Sequence, residues 1–190
     1  MEIYHLKNIL DQSIKEKRIY SFYEYGESSF YCGYVLSYNS DSVQVCHYTK
    51  YGEPDGTISL SLKNIRHICI QGEYEDGIEY LIKNQKEFSD LEKSSVLLSE
   101  TSEGFVSLIK SYLNDRNIIL NIEITDENYI GFVDDVKEGC FIFTEIDNSG
   151  LAVSSAIYKF DDISSVRIND KAGRKALFLY KMRQRKISAI

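Results

Sequence analysis

An internal repeat constrains this chain more than any other feature of its sequence. Shifted by 98 residues without gaps, Phe30–Ile82 superimposes on Asn128–Tyr180. The outright matches are Tyr31/Tyr129, Gly33/Gly131, Val35/Val133, Gly52/Gly150, Ile65/Ile163, Ile70/Ile168 and Leu81/Leu179. The apolar pattern carries more weight than these letters. Val43 and Val45 fall on Phe141 and Phe143, Leu60 and Leu62 on Tyr158 and Phe160, Ile68 on Val166, and Tyr80 on Phe178. Apolar residues recur at period two in both copies, as half-buried strands require. What one copy folds into the other must also fold into, so the 190 residues hold two small units.

Ahead of each strand block lies a helical stripe: Leu6, Ile9, Leu10 and Ile14 in the first copy, Phe105, Leu108, Ile109 and Leu113 in the second. These pairs agree at an offset of 99, which puts a one-residue difference in the turn after the helix. Thr101 or Ser102 is the expected N-cap of the second helix and Asn114-Asp115 its stop. Strands are expected over Ile19–Tyr25, Phe30–Tyr38, Ser42–Thr49, Thr57–Leu62 and Ile65–Gln71, with a last strand near Ile78–Lys83. Turn-forming runs separate them, among them Asn39-Ser40-Asp41 and Gly52-Glu53-Pro54-Asp55-Gly56, answered by Lys137-Glu138-Gly139 and Asp147-Asn148-Ser149-Gly150. The expected fold is mainly β (α+β): two tandem bent-sheet barrels, each preceded by a short helix. The expected division is 1–85, a linker over 86–101, and 102–190 with a basic C-terminal tail.

Composition narrows the function. The hydrophobic share of 43% suffices for packed cores, and 22 basic against 29 acidic side chains give a net charge of −7. That balance argues against a surface basic overall, the footprint of duplex nucleic-acid binders. No apolar run reaches membrane-spanning length, and the opening residues carry charges where a secretory signal would be apolar, so a cytoplasmic location without membrane contact is expected. Cys32, Cys46, Cys69 and Cys140 include no CxxC pair and are expected as reduced thiols. No metal or cofactor is expected. Walker A, GxGxxG, HExxH and GxSxG motifs are all missing, and His47 and His67 fall on Glu145 and Ser165 in the second copy, so no enzyme is expected.

The two blocks resemble the Sm-like family (LSm, Hfq-type), twice over. The residues that carry the resemblance are Tyr31-Cys32-Gly33-Tyr34-Val35-Leu36-Ser37-Tyr38-Asn39 followed by Val43-Gln44-Val45, and Tyr129-Ile130-Gly131-Phe132-Val133 followed by Phe141-Ile142-Phe143. A second motif is similar at Lys63-Asn64-Ile65-Arg66-His67-Ile68-Cys69-Ile70 and at Asp161-Asp162-Ile163-Ser164-Ser165-Val166-Arg167-Ile168. Tudor-type and other SH3-like barrels share the bent-strand pattern. The resemblance implies a tandem, non-enzymatic binding and assembly module that self-associates through its sheet edges. It implies RNA contacts in the loop after the glycine strand and in the second motif, which here are Tyr38, Asn39, Asp41 and Lys63. The second copy offers Val136, Lys137 and Glu138, then Asp161 and Asp162, which repel phosphate.

Charge is also polarised along the chain. Residues 171–190 hold seven Lys and Arg and no acidic residue, so the total of −7 leaves −14 on residues 1–170. Lys181, Arg183 and Arg185 are therefore added to the RNA-contact candidates. Fifteen tyrosines, eight of them between Tyr20 and Tyr51, suit a protein-facing surface. The partner expected is RNA or protein. The alternative reading is an acidic intracellular inhibitor or immunity protein that binds a basic partner.

Overall fold

The computed structural model describes residues 3–92 and 104–188. The chain divides into two compact units, Met1–Gln85 and Lys86–Ile190. The first contains α1 (Ile3–Glu16), β1 (Tyr20–Glu24), β2 (Phe30–Tyr38), β3 (Ser42–Tyr48), β4 (Pro54–Ser61), a 3₁₀ turn (Leu62–Asn64), β5 (Ile65–Cys69) and α2 (Glu73–Lys83). The second follows with α3 (Gln85–Glu92), α4 (Gly104–Ser111), β6 (Leu120–Ile124), β7 (Glu127–Lys137), β8 (Cys140–Ile146), β9 (Ala152–Lys159), a 3₁₀ turn (Phe160–Asp162), β10 (Ile163–Ile168) and α5 (Lys171–Ser188). The N-cap expected at Thr101 or Ser102 lies outside the described residues, as does the expected linker beyond residue 92.

Each unit is one antiparallel sheet, in the orders β4-β3-β2-β1-β5 and β9-β8-β7-β6-β10. Strands consecutive in sequence thus occupy opposite edges, joined only by a 3₁₀ turn. The edges of a flat five-stranded sheet stand about 19 Å apart, four gaps of about 4.8 Å. A link from Ser61 to Ile65 reaches at most about 14 Å even fully extended, and less when wound as 3₁₀. Both sheets must therefore curl. The expected barrels are nonetheless open sheets, because β4 does not pair with β5, nor β9 with β10. The turn steers β5 onto β1 instead, where the Tyr25 amide donates to the Asn64 carbonyl (2.9 Å).

Curling needs close strand contact, and the shared glycines supply it. A Cβ on Gly33 would lie 2.0 Å from the Cys46 carbonyl oxygen, and one on Gly131 2.0 Å from that of Thr144, the matched residue. Just beyond each glycine the ladder is irregular, between Val35 and Ser37 and between Val133 and Asp135. Gly52 and Gly150 are the second shared device: both have positive φ (71° and 81°), and a Cβ on either would press on Leu81 or on Leu179. Leu81 and Leu179 lie on helices, which corrects the expected last strand at Ile78–Lys83. Ile78, Leu81 and Ile82 follow helical spacing, Glu73, Glu75 and Asp76 sit in the first turn where the helix dipole favours anions, and Lys83 closes the last turn. The basic tail is likewise helix α5.

The cores match position for position. Leu10, Tyr20, Phe22, Val35, Val43, Val45 and Ile65 cluster in the first unit, and Ile109, Leu120, Ile122, Val133, Phe141, Phe143 and Ile163 in the second. Tyr20 pairs with Gly33 and Leu120 with Gly131, so the offset is 100 on the first strand against 98 beyond it. The two-residue difference is the hairpin: the second unit turns on Thr125 and Asp126 alone, with φ of 50° and 66°, the signs of a type I′ turn. The leading stripes are narrower than expected. Ile14 is exposed while its neighbour Ser13 is buried, accepting from the Val35 amide and donating to the Arg18 carbonyl (both 2.9 Å). Phe105 and Leu113 are exposed too, Leu113 lying past the end of α4, and Ile109 is the buried residue of that helix.

Gly33→Ala or Gly131→Ala forces backbone apart and is expected to destabilise its unit by about 2 kcal/mol or more, as overpacked sites do. Gly139, at φ 76° with open space around its Cα, gives the comparison; its alanine variant should cost only about 1 kcal/mol, from the left-handed backbone. Urea denaturation of the three variants measures the difference.

Candidate functional site

Three of the sequence-derived candidates meet in the first unit. Helix α1 presents Leu6, Lys7 and Leu10, the end of β2 and its turn present Tyr38, Asn39 and Ser40, and the 3₁₀ turn presents Leu62 and Lys63; together they line a cavity of about 560 Å³. The curl of the sheet brings these segments together, since it returns the 3₁₀ turn to the β2–β3 turn, where the Leu62 amide donates to the Asp41 carbonyl (2.8 Å).

Each polar group at this cavity has a defined role. The Tyr38 hydroxyl donates to Asp11 Oδ1 (2.8 Å), which anchors the ring to α1; that bond to a carboxylate pushes the phenol above its ordinary pKa. Asn39 Oδ1 accepts from the amides of Asp41 and Ser42 (both 2.8 Å), an Asx turn that holds the loop. The Asn39 amide nitrogen is left as a pure donor, with no partner among the described residues. Lys7 and Lys63 are exposed ammonium groups beside apolar walls. Asp41 stands next to the turn but does not line the cavity, its carboxylate accepting from Ser40 Oγ (2.9 Å).

The basic candidates are placed elsewhere. Lys181, Arg183 and Arg185 lie on α5 in the second unit, where Lys181 donates to Asn117 (3.0 Å), Arg183 to the Ser149 carbonyl (2.9 Å) and Arg185 pairs with Glu87 (3.3 Å). These bonds stay within their own unit, and of the three the Arg185 bond is to a carboxylate. The positions matching Tyr38, Asn39 and Lys63 are Val136, Lys137 and Asp161. Lys137 forms an ion pair with Asp135 (2.7 Å), and that bond holds the Asp135 carboxyl below its usual range.

A second aromatic feature escapes sequence reasoning. Strand register sets Tyr23 opposite both Phe30 and His67, and the rings stack at 4.7 Å and 4.2 Å between centroids. Tyr74 extends the row edge-on (5.1 Å) and the Arg66 guanidinium lies 5.9 Å from the Tyr23 ring. The matched residues in the second unit are Glu123, Asn128 and Ser165, and two of them hydrogen-bond instead, Ser165 Oγ donating to Glu123 (2.7 Å). One aromatic residue on each of three strands is the signal, readable only once the two-residue-longer path of the β1–β2 loop fixes the register.

The four cysteines are free thiols. Burial and the Glu75 carboxylate, which accepts from Cys69 Sγ (3.5 Å), push the Cys69 thiol up, away from thiolate reactivity. Among the described residues no group of three His, Cys, Asp or Glu side chains is placed to hold a metal ion, and no helix is long and apolar enough to cross a membrane. Compared with protein-family models, curated proteins and solved structures, the chain matches none.

Burial also pushes the phenols of Tyr48 and Tyr74 up to about 12. Their unfolded counterparts titrate near 10, so folding holds the neutral forms. That contribution to stability is complete below pH 10 and is lost as pH rises through the folded values. Tyr158 in the second unit, raised further still by burial and its bond to Glu145, joins them, so absorbance titration of tyrosinate should show three late-ionising groups, with loss of the first unit's stability above pH 10; Tyr48→Phe should remove one late step.

Proposed function

We propose that the chain is a non-enzymatic tandem binding module of the Sm-like type, whose first unit binds single-stranded RNA at the cavity between α1, the β2–β3 turn and the first 3₁₀ turn. The order of a leading helix and five bent strands, repeated in both units, supports the Sm-like reading. The convergence of Tyr38, Asn39 and Lys63 on one cavity carries the functional one. An aromatic ring gives a base a stacking surface. The Asn39 amide, its oxygen already committed, offers donors to a base edge that presents acceptors. Lys7 and Lys63 supply the cations that phosphate contacts need. The second unit, with Val136 and Asp161 at the matched positions, keeps the fold and dispenses with the site. The charge of −14 over residues 1–170 favours a second reading, an acidic inhibitor that masks a basic protein.

Fluorescence anisotropy with labelled oligouridylate separates them. Tyr38→Ala is expected to weaken binding about tenfold, in line with the loss of one stacked base. The slope of log affinity against log salt should lie near −1.4, roughly 0.7 for each of two phosphate contacts. Lys181→Ala should have no effect. Absence of binding, or loss through Lys181→Ala without loss through Tyr38→Ala, overturns the RNA reading.

A further inference from the structure

The two units diverge where the last helix meets the outer face of the sheet. In the second unit that space is filled: Ile119, Phe132, Ile146, Ala176 and Leu177 form one buried cluster, with Ile130 and Tyr180 packed against it. The matched residues of the first unit include Tyr34 for Phe132, Tyr48 for Ile146, Glu79 for Leu177 and Ile82 for Tyr180. Three apolar positions have become polar, and there the first unit holds a cavity of about 450 Å³, lined by Tyr34, Tyr48, Glu79, Ile82, Ile19 and the basic pair Lys17 and Arg18, with Glu16 and Lys83 at its margin.

Polar groups in a helix–sheet contact cost stability unless they are hydrogen-bonded. Here Glu79 is met at the wall, accepting from the Ile19 amide and from Lys83 (both 3.2 Å), while burial and the neighbouring Cys46 hold the phenols of Tyr34 and Tyr48 in their neutral forms. The two rings, 6.2 Å apart and tilted by 40°, are left as an angled aromatic wall. Arg18 is paired with Glu16 (3.3 Å), as Lys83 is with Glu79.

Lys17 is different. Its backbone is left-handed (φ 53°), which side chains other than glycine seldom adopt, and its ammonium lies 5.7 Å from the Tyr34 ring centroid. In the second unit the matched Arg116 lies 4.9 Å over Phe132 and is neutralised by Asp134. The residue matching Asp134 is Leu36, so that neutralising carboxylate is missing, and among the described residues Lys17 has no ion pair. The lining carries three cations against two carboxylates, in a chain of net charge −7.

We propose that this cavity binds a small organic anion built on a planar ring, the ring packing into the angle between Tyr34 and Tyr48 and the anionic group meeting Lys17. The volume is within the range of small-molecule sites. A carboxylate and a phosphate satisfy a lysine point charge alike, so both are tested, independently of the RNA site.

The experiment is an amide NMR titration of the full chain with adenosine monophosphate and with indole-3-carboxylate, using adenosine and indole as neutral counterparts. At least one anion is expected to saturate with Kd below about 1 mM, shifting residues 16–19, 34, 48 and 79–83. Its neutral counterpart should bind about tenfold more weakly, Lys17→Glu should cause at least the same loss, and Lys17→Arg should retain binding. Response to the nucleotide alone assigns a phosphate ligand, and response to the indole acid alone a carboxylate. The combined Tyr34→Phe, Tyr48→Ile, Glu79→Leu variant, which copies the second unit's filling, should abolish binding and raise the melting temperature; if it does not fold, Lys17→Glu still decides. Neither anion shifting these amides, neutral compounds binding as tightly, or an unchanged affinity in Lys17→Glu overturns the proposal.

Discussion

The backbone contact at Gly33 and its counterpart Gly131 governs the rest of each unit. With a carbonyl oxygen 2.0 Å from where a Cβ would stand, these positions admit only glycine without displacement. The close approach lets the central strands bend, and the bend lets a three-residue turn carry the chain from one sheet edge to the other. Because the turn returns beside the β2–β3 loop, residues more than twenty positions apart, Tyr38 and Lys63, share a cavity. The leading helix then closes the open end of the curl, burying Leu10 or Ile109 in the core.

The strands were legible because period two survives every substitution between the copies. The last helix was not, and the reason is local. Tyr80-Leu81-Ile82 and Ala176-Leu177-Phe178-Leu179 are contiguous apolar runs, and a short run reads equally as buried strand or buried helix. For α2 the deciding evidence lay just upstream, in the acidic first turn of Glu73, Glu75 and Asp76; α5 has no acidic residue in its first turn. Tyr38, Asn39 and Lys63 could be found because they occupy turns that a resemblance singles out. The engagement of Lys181, Arg183 and Arg185 could not, since their partners Asn117, Ser149 and Glu87 lie 64, 34 and 98 residues away.

The polar tie that seats each last helix shows how a duplicated fold tolerates divergence. In the first unit buried Ser21 on β1 donates to Glu75, in the first turn of α2. In the second, Asn121 takes the matched place on β6 and donates to Asp170 (2.8 Å), which also accepts from the Gly173 amide (2.7 Å) at the start of α5. The carboxylate has moved along the chain, yet a strand side chain still meets the positive end of a helix. Neither partner of such a buried pair can be lost alone without leaving an unsatisfied group, so the two ends change together.

That coupling explains why sequence identity between the copies is sparse while geometry is retained, and it gives meaning to the positions that differ without compensation. Phe132, Ile146 and Leu177 are what packing alone favours between a helix and a sheet. Tyr34, Tyr48 and Glu79 give up part of that packing, and Lys17 adds an unneutralised charge at the same place. A fold that can fill this space, as its own second copy does, has no structural need to leave it open. Forgone burial and an unneutralised charge at one cavity are what the proposed anion site accounts for.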